Sequence, residues 1–195
     1  REICMITVIG LAASGKSEVA EKIAVNIALK HNKQLIYLAT MESKSAASKE
    51  RIKKHRNLRK DKGFITIEEQ VSLNKHVNAV KDKVVLLECV SNLCANYYYN
   101  VSGEKTASDE SISLMADDIF NDILSINDSA FELILVTNDM YRDGIIYDEW
   151  TESYLKLTAK VNSRSVEHSE SFFEVINGIS FKIQGISTGN KYENI

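Results

Sequence analysis

Four short apolar runs recur along the chain and alternate with longer segments in which apolar residues return every three or four positions. The runs are ITVI (6–9), QLIYLA (34–39), KVVLLE (83–88) and FELILVT (131–137). Because they are continuously apolar, they predict strands that are buried on both faces, as in a mainly parallel sheet flanked by helices. The pattern therefore predicts an α/β fold.

The segments between and after the runs carry three apolar stripes with helical spacing. They are Val19, Ile23 and Ile27; Ile112, Met115, Ile119 and Ile123; and Trp150, Tyr154, Leu157 and Val161. We interpret each stripe as the face of a helix that packs against the sheet. The segment 100–111 is predicted to be a mobile loop, with Ser108 or Asp109 as the N-cap of the next helix.

A different pattern appears towards the end of the chain, in FFEVINGISFKIQG (172–185). Here Asn177 and Gly178 separate two apolar runs. An Asn-Gly pair between two strands is typical of a tight hairpin turn. The sheet is therefore expected to end in an antiparallel hairpin.

Composition and charge narrow the class of protein. Of 195 residues, 44% are hydrophobic and 26% are charged, with a net charge of −3. No apolar run approaches the roughly 18 residues that span a bilayer, so we predict no membrane span, and we expect one domain over residues 1–195. Residues 1–9 are interpreted as a first strand rather than a signal peptide. Cys4, Cys89 and Cys94 lack CxxC spacing, which favours free thiols and a cytoplasmic location.

The stretch GLAASGKS (10–17) is a complete phosphate-binding P-loop pattern between a predicted strand and a predicted helix. Backbone N–H groups of such a loop, from Gly10, Leu11, Ala12, Ala13, Ser14 and Gly15, surround phosphates at the positive end of the helix. Lys16 is expected to reach the β- and γ-phosphates, and Ser17 to ligate Mg²⁺. The predicted ligand is therefore a nucleoside triphosphate, GTP or ATP.

A P-loop site usually has a second acid at the end of a neighbouring strand. Glu88 closes KVVLLE, and Asp139 follows FELILVTN in a similar position. Of the two, Glu88 is the preferred candidate for holding the metal or orienting a nucleophile.

The segment 44–62 carries nine Lys or Arg residues against Glu50 and Asp61, a local charge of +7. If it is helical, Arg51, His55 and Arg59 share one face. Neighbouring cations disfavour the charged imidazole, which keeps a nitrogen lone pair available to attack phosphorus. Two other interpretations stay open at this point: a solvated basic helix, and a nucleic-acid footprint, which the acidic remainder of the chain disfavours.

Several blocks in order resemble one known family. They are GLAASGKS, YLAT (37–40), RIKKHRNLR (51–59), FITIEE (64–69), LLECVSNLCANYY (86–98), LILVTND (133–139), KVNS (160–163) and NGISFKI (177–183). Together they resemble the adenosylcobinamide kinase/adenosylcobinamide-phosphate guanylyltransferase family of cobalamin biosynthesis, over essentially the whole chain.

The resemblance implies a RecA-like P-loop NTPase fold and two reactions on one corrinoid substrate. A nucleoside triphosphate phosphorylates the aminopropanol hydroxyl of adenosylcobinamide, and GMP from GTP is then transferred onto that phosphate through a histidine. By resemblance His55 is that histidine, Arg51 and Arg56 lie near the triphosphate, and Glu68 and Glu88 line the nucleotide or metal site. It also implies a homotrimer and no nucleic-acid partner.

This chain departs from the family pattern at several positions. Leu11 and Ala13 stand where the family often has a second glycine and an arginine, and Leu155-Lys156 replaces an Arg-Asp pair, although Asn162 remains. Two alternatives to the bifunctional enzyme are a P-loop kinase or NTPase that acts on another small alcohol, and a non-catalytic nucleotide-binding relative. A covalent GMP adduct on His55 distinguishes the first interpretation from both.

Overall fold

The computed structural model describes residues 5–42, 46–103, 105–140 and 144–184. Within the helix that spans 46–59 it describes the backbone throughout, but not the side chains of residues 46–48, 51, 54, 55 and 58. Cys4, which was expected to carry a free thiol, lies outside the described residues.

Strands and helices alternate along most of the chain, as the apolar pattern predicts. The strands are β1 (Met5–Gly10), β2 (Leu35–Ala39), β3 (Phe64–Glu68), β4 (Val84–Glu88), β5 (Glu132–Asn138), β6 (Ser171–Ile176) and β7 (Ile179–Gln184). The helices are α1 (Lys16–His31), α2 (Ala46–Arg59), α3 (Val77–Val80), α4 (Val90–Ser102), α5 (Asp109–Ser129) and α6 (Glu149–Glu167), with a 3₁₀ turn at Leu73–His76 before α3. The four predicted runs correspond to β1, β2, β4 and β5.

The described strands form one sheet in the order β3-β2-β4-β5-β1-β6-β7. The first six strands of this order are parallel, and β7 is antiparallel to β6. Because parallel strands end at the same edge, the loop after β1 and the last residues of β4 and β5 meet there, where α/β proteins bind their ligands. This sheet is the RecA-like P-loop fold that the family resemblance implies.

The central strands are buried on both faces, as their continuous apolar pattern indicates. In β4, Val85 and Leu87 pack with α4, α5 and α6, whereas Val84 and Leu86 pack with α1 on the other face. The expected stripes of α5 and α6 also face this core. The sheet is thus enclosed between two helical layers.

The innermost stripe of α1 differs from the prediction. Its fully buried apolar positions are Ala20, Ala24 and Ala28, while the predicted Val19, Ile23 and Ile27 are only partly buried beside them. Small side chains let a helix lie close to a sheet, so the larger residues are displaced to the sides of the contact.

Two expectations about loops have different outcomes. The hairpin is confirmed, because Asn177 and Gly178 both have positive φ and join β6 to β7. The loop expected at 100–111 is shorter than predicted, because α4 continues to Ser102 and α5 starts at Asp109. Ser108 caps α5 by accepting a hydrogen bond from the backbone N–H of Ser111.

Candidate active site

The loop between β1 and α1 has a backbone that requires glycine at two positions. A Cβ atom on Gly10 would lie 2.5 Å from Ser14 Oγ and 2.6 Å from the carbonyl oxygen of Val175. Gly15 has a φ of 89° and is the N-cap of α1. Both glycines of the GxxxxGKS pattern are therefore needed for the shape of the loop.

The turn of the β6–β7 hairpin contacts this loop directly. The backbone N–H of Gly178 donates to the carbonyl oxygen of Ser14 over 2.7 Å. A Cβ on Gly15 would lie 3.2 Å from the Cα of Gly178. The C-terminal hairpin thus stabilises the loop, a contact between distant residues that the sequence pattern does not reveal.

Lys16 is the first residue of α1, and its side chain folds back over the loop. The residue is only 8% exposed, and its Nζ donates to the carbonyl oxygen of Leu11 over 3.0 Å. Ser14 Oγ is buried and has no hydrogen-bond partner within the described ranges. A buried ammonium group and an unpaired hydroxyl in one loop suit a phosphate group.

Ser17 and Glu88 meet at the edge of the sheet where β4 ends. Ser17 Oγ donates to Glu88 Oε1 over 2.5 Å, and Tyr37 donates its phenolic O–H to Glu88 Oε2 over 3.1 Å. Burial raises the pKa of Tyr37 and the Glu88 carboxylate raises it further, so the phenol stays protonated as a donor. The hydroxyl and carboxylate oxygens are the hard donors that Mg²⁺ prefers.

The chemistry of these two donors is compatible with a Mg²⁺ ion whose other ligands would be phosphate and water oxygens. Among the described residues no three His, Cys, Asp or Glu side chains are grouped as a full metal cage. In P-loop enzymes Mg²⁺ is bound by one or two protein oxygens together with phosphates and water. Two such protein oxygens, here those of Ser17 and Glu88, would be enough for a Mg²⁺ ion that arrives with a triphosphate.

On the other side of Tyr37, the C-terminal end of α2 is held by buried charges. The guanidinium carbon of Arg59 lies 3.4 Å from the centre of the Tyr37 ring. Arg59 Nη1 is 3.9 Å from Glu21 Oε1, and Lys62 Nζ is 2.5 Å from Glu21 Oε2. Because Glu21 belongs to α1, this carboxylate connects α2 to the helix that follows the P-loop.

Arg56 and Glu68 form an exposed ion pair that connects α2 to the end of β3. Together with Tyr37, Arg59 and Glu88 they line one small cavity. The structure thus brings three of the predicted residues, Arg56, Glu68 and Glu88, to the same place.

His55 and Arg51 lie on α2, the helix that the basic segment predicts. Their side chains are outside the described part of the chain, so their predicted roles stay predictions. Asp139 follows β5, and its backbone N–H donates to the carbonyl oxygen of Gly10 over 3.2 Å. It lines a different pair of cavities, beside the first residues of the P-loop.

Sequence reasoning did not identify Tyr37 and Glu21 as site residues. Tyr37 lies inside an apolar strand run, where aromatic residues are ordinary, and Glu21 lies on a helix with other charged residues. The sequence pattern pointed only to Arg59, because its spacing places it on the same helical face as His55. The roles of Glu21 and Tyr37 both depend on contacts between residues far apart in the chain. Glu21 and Lys62 are 41 positions apart, and Tyr37 and Glu88 are 51 positions apart.

The β1–loop–α1 unit at the carboxyl edge of a parallel sheet defines a P-loop nucleotide-binding protein. The family model for cobinamide kinase / cobinamide phosphate guanyltransferase matches residues 6–183. The chain belongs to this family, as the sequence resemblance predicts.

Two curated relatives are similar over nearly their whole length. The bifunctional adenosylcobalamin biosynthesis protein CobU of Escherichia coli (strain K12) is 26% identical over 186 residues, which cover 92% of this chain and 99% of the relative. The protein of the same name from Salmonella typhimurium (strain LT2) is 25% identical with the same coverage.

Among solved structures, the flagellar accessory protein FlaH from Methanocaldococcus jannaschii aligns with 93% of this chain and 76% of its own. Its TM-score is 0.47 and its sequence identity is 12%. No helix in the described ranges is both long and apolar enough to cross a bilayer. Cys89 and Cys94 are buried and free, as expected.

Proposed function

We propose that the protein is a bifunctional transferase of cobalamin biosynthesis that phosphorylates adenosylcobinamide with ATP or GTP and then transfers GMP from GTP to adenosylcobinamide phosphate. Family membership supports the substrate class. The observation that carries the proposal is the meeting of Ser17 and Glu88, which are 71 positions apart, at 2.5 Å beside the P-loop. A hydroxyl and a carboxylate in this arrangement are what a magnesium-bound triphosphate requires.

The P-loop binds the triphosphate in both reactions. Backbone N–H groups of residues 10–15 surround the β-phosphate, and the Lys16 ammonium moves from the Leu11 carbonyl to the β- and γ-phosphate oxygens. In the first reaction the hydroxyl oxygen of cobinamide attacks the γ-phosphorus, and the nucleoside diphosphate leaves. Positioning and charge neutralisation supply most of the catalysis in such a transfer.

The second reaction uses His55 as a nucleophile. A ring nitrogen of His55 attacks the α-phosphorus of GTP, pyrophosphate leaves with the electron pair of the broken P–O bond, and a phosphoramidate to GMP forms. An oxygen of cobinamide phosphate then attacks the same phosphorus and releases the histidine. Arg51 and Arg59 are one turn from His55 on either side, and their charges favour the neutral, nucleophilic imidazole.

Ser17 and Glu88 would hold Mg²⁺, and a bound Mg²⁺ would supply charge neutralisation at the phosphates. Tyr37 keeps the Glu88 carboxylate oriented through its hydrogen bond. Arg56 and Glu68, in the cavity next to Glu88, complete the nucleotide site on the α2 side.

We further propose that the protein acts in the cytoplasm as a homo-oligomer, a trimer by resemblance to its family. The outer strand β7 supports an assembly, because Ile179, Phe181 and Ile183 alternate along it and are between 45% and 62% exposed. Exposed apolar rows on an edge strand are usually covered by a partner. The mass in solution, measured by light scattering, distinguishes a monomer from a trimer.

The test uses GTP labelled at the α-phosphate. Wild-type protein with Mg²⁺ should retain the label on a denaturing gel, and the bond should be acid-labile, as a phosphoramidate is. His55→Ala should lose the label completely while still binding GTP, and Lys16→Ala should reduce labelling on the order of 10²-fold or more. His31→Ala, which removes a histidine at the far end of α1, is the matched control and should label normally.

The outcomes separate the candidate functions. Phosphorylation of cobinamide without an adduct would leave a kinase alone, and GTP binding without either reaction would leave a non-catalytic relative. A label that persists in His55→Ala would assign the nucleophile to another residue.

A further inference from the structure

A second cleft opens at the carboxyl ends of β1 and β5, beside α6. Its volume is about 510 Å³, within the range of cavities that enclose a small molecule. The P-loop contributes Leu11 and Ala12 to its wall, and Asp139 supplies a carboxylate. It shares no lining residue with the small cavity at α2, which Arg56, Glu68 and Glu88 line. The cleft beside the P-loop and the cavity at α2 are therefore separate spaces.

The cleft adjoins the part of the loop where the terminal phosphate is expected. Lys16 Nζ is 3.0 Å from the carbonyl oxygen of Leu11, a residue of the cleft wall. The P-loop lysine is the residue that contacts the β- and γ-phosphates. We therefore expect a γ-phosphate bound by Lys16 to lie near the mouth of the cleft.

Asp139 is positioned by a set of hydrogen bonds that fixes the end of β5. Its backbone N–H donates to the carbonyl oxygen of Gly10 over 3.2 Å. From α6, Asn162 accepts from Thr137 Oγ1 over 2.6 Å and donates to the carbonyl oxygen of Asn138 over 3.1 Å. The backbone that carries the carboxylate is thus held against both the P-loop and α6.

The remaining walls suit a mostly apolar chain with polar groups. Tyr147 and Tyr154 contribute aromatic rings, and Leu155 and Thr151 contribute an aliphatic and a hydroxyl side chain. The Tyr154 ring is fixed, because its O–H donates to the carbonyl oxygen of Ser91 over 3.1 Å. A volume of about 510 Å³ is enough for one flexible arm of a large substrate.

We propose that this cleft binds the hydroxyl-bearing amide arm of the acceptor alcohol, and that Asp139 is the base of the phosphorylation step. This inference rests on the proposed function and adds the acceptor subsite to it. The hydroxyl oxygen forms a bond to the γ-phosphorus while the bond to the β–γ bridging oxygen breaks. The nucleoside diphosphate leaves with that electron pair, and the hydroxyl proton passes to the Asp139 carboxylate and then to solvent.

The two reactions then use opposite sides of one triphosphate. The acceptor alcohol approaches the γ-phosphorus from the β5–α6 cleft, whereas His55 approaches the α-phosphorus from the α2 side. Separate access routes explain how one P-loop serves two nucleophiles, and they make the two activities separable by mutation.

The experiment compares wild type, Asp139→Asn and Tyr147→Ala in three assays on the full chain. These are phosphorylation of cobinamide from γ-labelled triphosphate, labelling of the protein from α-labelled GTP, and equilibrium binding of GTP. Asp139→Asn should lower the kcat of phosphorylation on the order of 10²-fold, with GTP binding and self-labelling within threefold of wild type. Tyr147→Ala should raise the KM for cobinamide several-fold and leave the KM for GTP unchanged.

Asp128→Asn, at an exposed carboxylate of α5 that lines neither cavity, is the control and should behave as wild type. Phosphorylation by Asp139→Asn within threefold of wild type overturns the inference and leaves the proposed function intact. Equal loss of phosphorylation, labelling and GTP binding assigns Asp139 to the nucleotide site and also overturns it. A wild-type protein that phosphorylates no cobinamide overturns the proposed function and the inference with it, and normal GTP binding in that sample shows that the protein is folded.

Discussion

The P-loop and helix α2 are proposed to contact the same nucleotide, but different forces hold them in place. The loop is bounded by a central strand and α1, and backbone groups within the loop help to fix it, such as the Ser14 N–H that donates to the Leu11 carbonyl oxygen. The described end of α2 is instead held by side-chain charges, through Arg59 with Glu21 and through Arg56 with Glu68.

The shape of the P-loop is therefore specified mainly by neighbouring residues, whereas the position of α2 is specified by contacts between residues far apart in the chain. Backbone hydrogen bonds within the loop and the conformations of its glycines follow from a short sequence motif, and the hairpin turn adds one tertiary contact to a shape that the motif already favours. The position of α2 depends on whether a carboxylate in α1 is available to a buried arginine. We therefore expect the P-loop to tolerate the loss of a side-chain partner better than α2 does.

The largest expected effect comes from Glu21→Ala, which removes the carboxylate shared by Arg59 and Lys62. Glu21 and Arg59 are 3% and 6% exposed, so the substitution leaves a buried guanidinium group without its acid. Breaking a buried ion pair on one side costs about 3 to 5 kcal/mol of the free energy of unfolding. Urea denaturation measures this loss.

Glu68→Ala is the matched control, because it removes the acid of the other ion pair of α2. Both side chains of that pair are more than half exposed, so we expect a loss of at most about 1 kcal/mol. Equal losses in the two variants would show that the buried charges do not hold α2.

Glu88 lies between the two regions, because it accepts hydrogen bonds from Ser17 and from Tyr37, whose ring contacts Arg59 of α2. Glu88→Gln places an amide between Ser17 and Tyr37, and the amide nitrogen cannot accept the hydrogen bonds that the carboxylate accepts. We expect both nucleotide-dependent activities to fall on the order of 10²-fold, with a higher Mg²⁺ requirement. Activity titrated against Mg²⁺ concentration measures both effects.

Tyr37→Phe controls for the orientation of Glu88, because it removes one hydrogen bond and keeps the carboxylate. Its activity should fall about tenfold, which corresponds to the low end of the roughly 1.5 to 3 kcal/mol that a hydrogen bond to a charged group contributes. If Glu88→Gln is no worse than Tyr37→Phe, Glu88 does not serve the metal.

The smallest expected effect lies within the P-loop. Ala13 has a φ of 60°, a left-handed conformation that costs a non-glycine residue about 1 to 2 kcal/mol. Ala13→Gly removes this cost but adds flexibility to the unfolded chain, so we expect a net stabilisation below about 1 kcal/mol. Thermal unfolding measures it.

The adjacent Ala12→Gly is the control, since Ala12 is not among the described residues with positive φ. The Ala12→Gly substitution only adds flexibility to the unfolded chain, so we expect it to lower the free energy of unfolding slightly. A lower melting temperature for Ala13→Gly than for Ala12→Gly would contradict the strain assigned to Ala13.

Most secondary structure follows from local pattern, and the exceptions have physical causes. Strand β3 was not predicted, because it has no continuous apolar run. It is an edge strand, in which Ile65, Thr66 and Glu68 are exposed. The buried face of α1 is misassigned by one position because alanine carries little weight in a hydrophobic pattern. The helices around 100–111 extend further than expected because Ser, Asn and Asp residues serve as helix ends as well as loop residues.

The sequence by itself determined the P-loop, the strand-end carboxylate Glu88, the basic helix α2 and the Asn-Gly hairpin. Each depends on residues within a few positions of one another, where spacing and backbone preference decide the structure. Only the tertiary structure decided that the hairpin turn rests on the P-loop and that Glu21 joins α1 to α2. It also decided that Asp139 faces a cleft separate from the cavity at α2. These contacts join residues far apart in the chain, and a buried charge finds its partner through the packing of whole helices and strands, which no local pattern records.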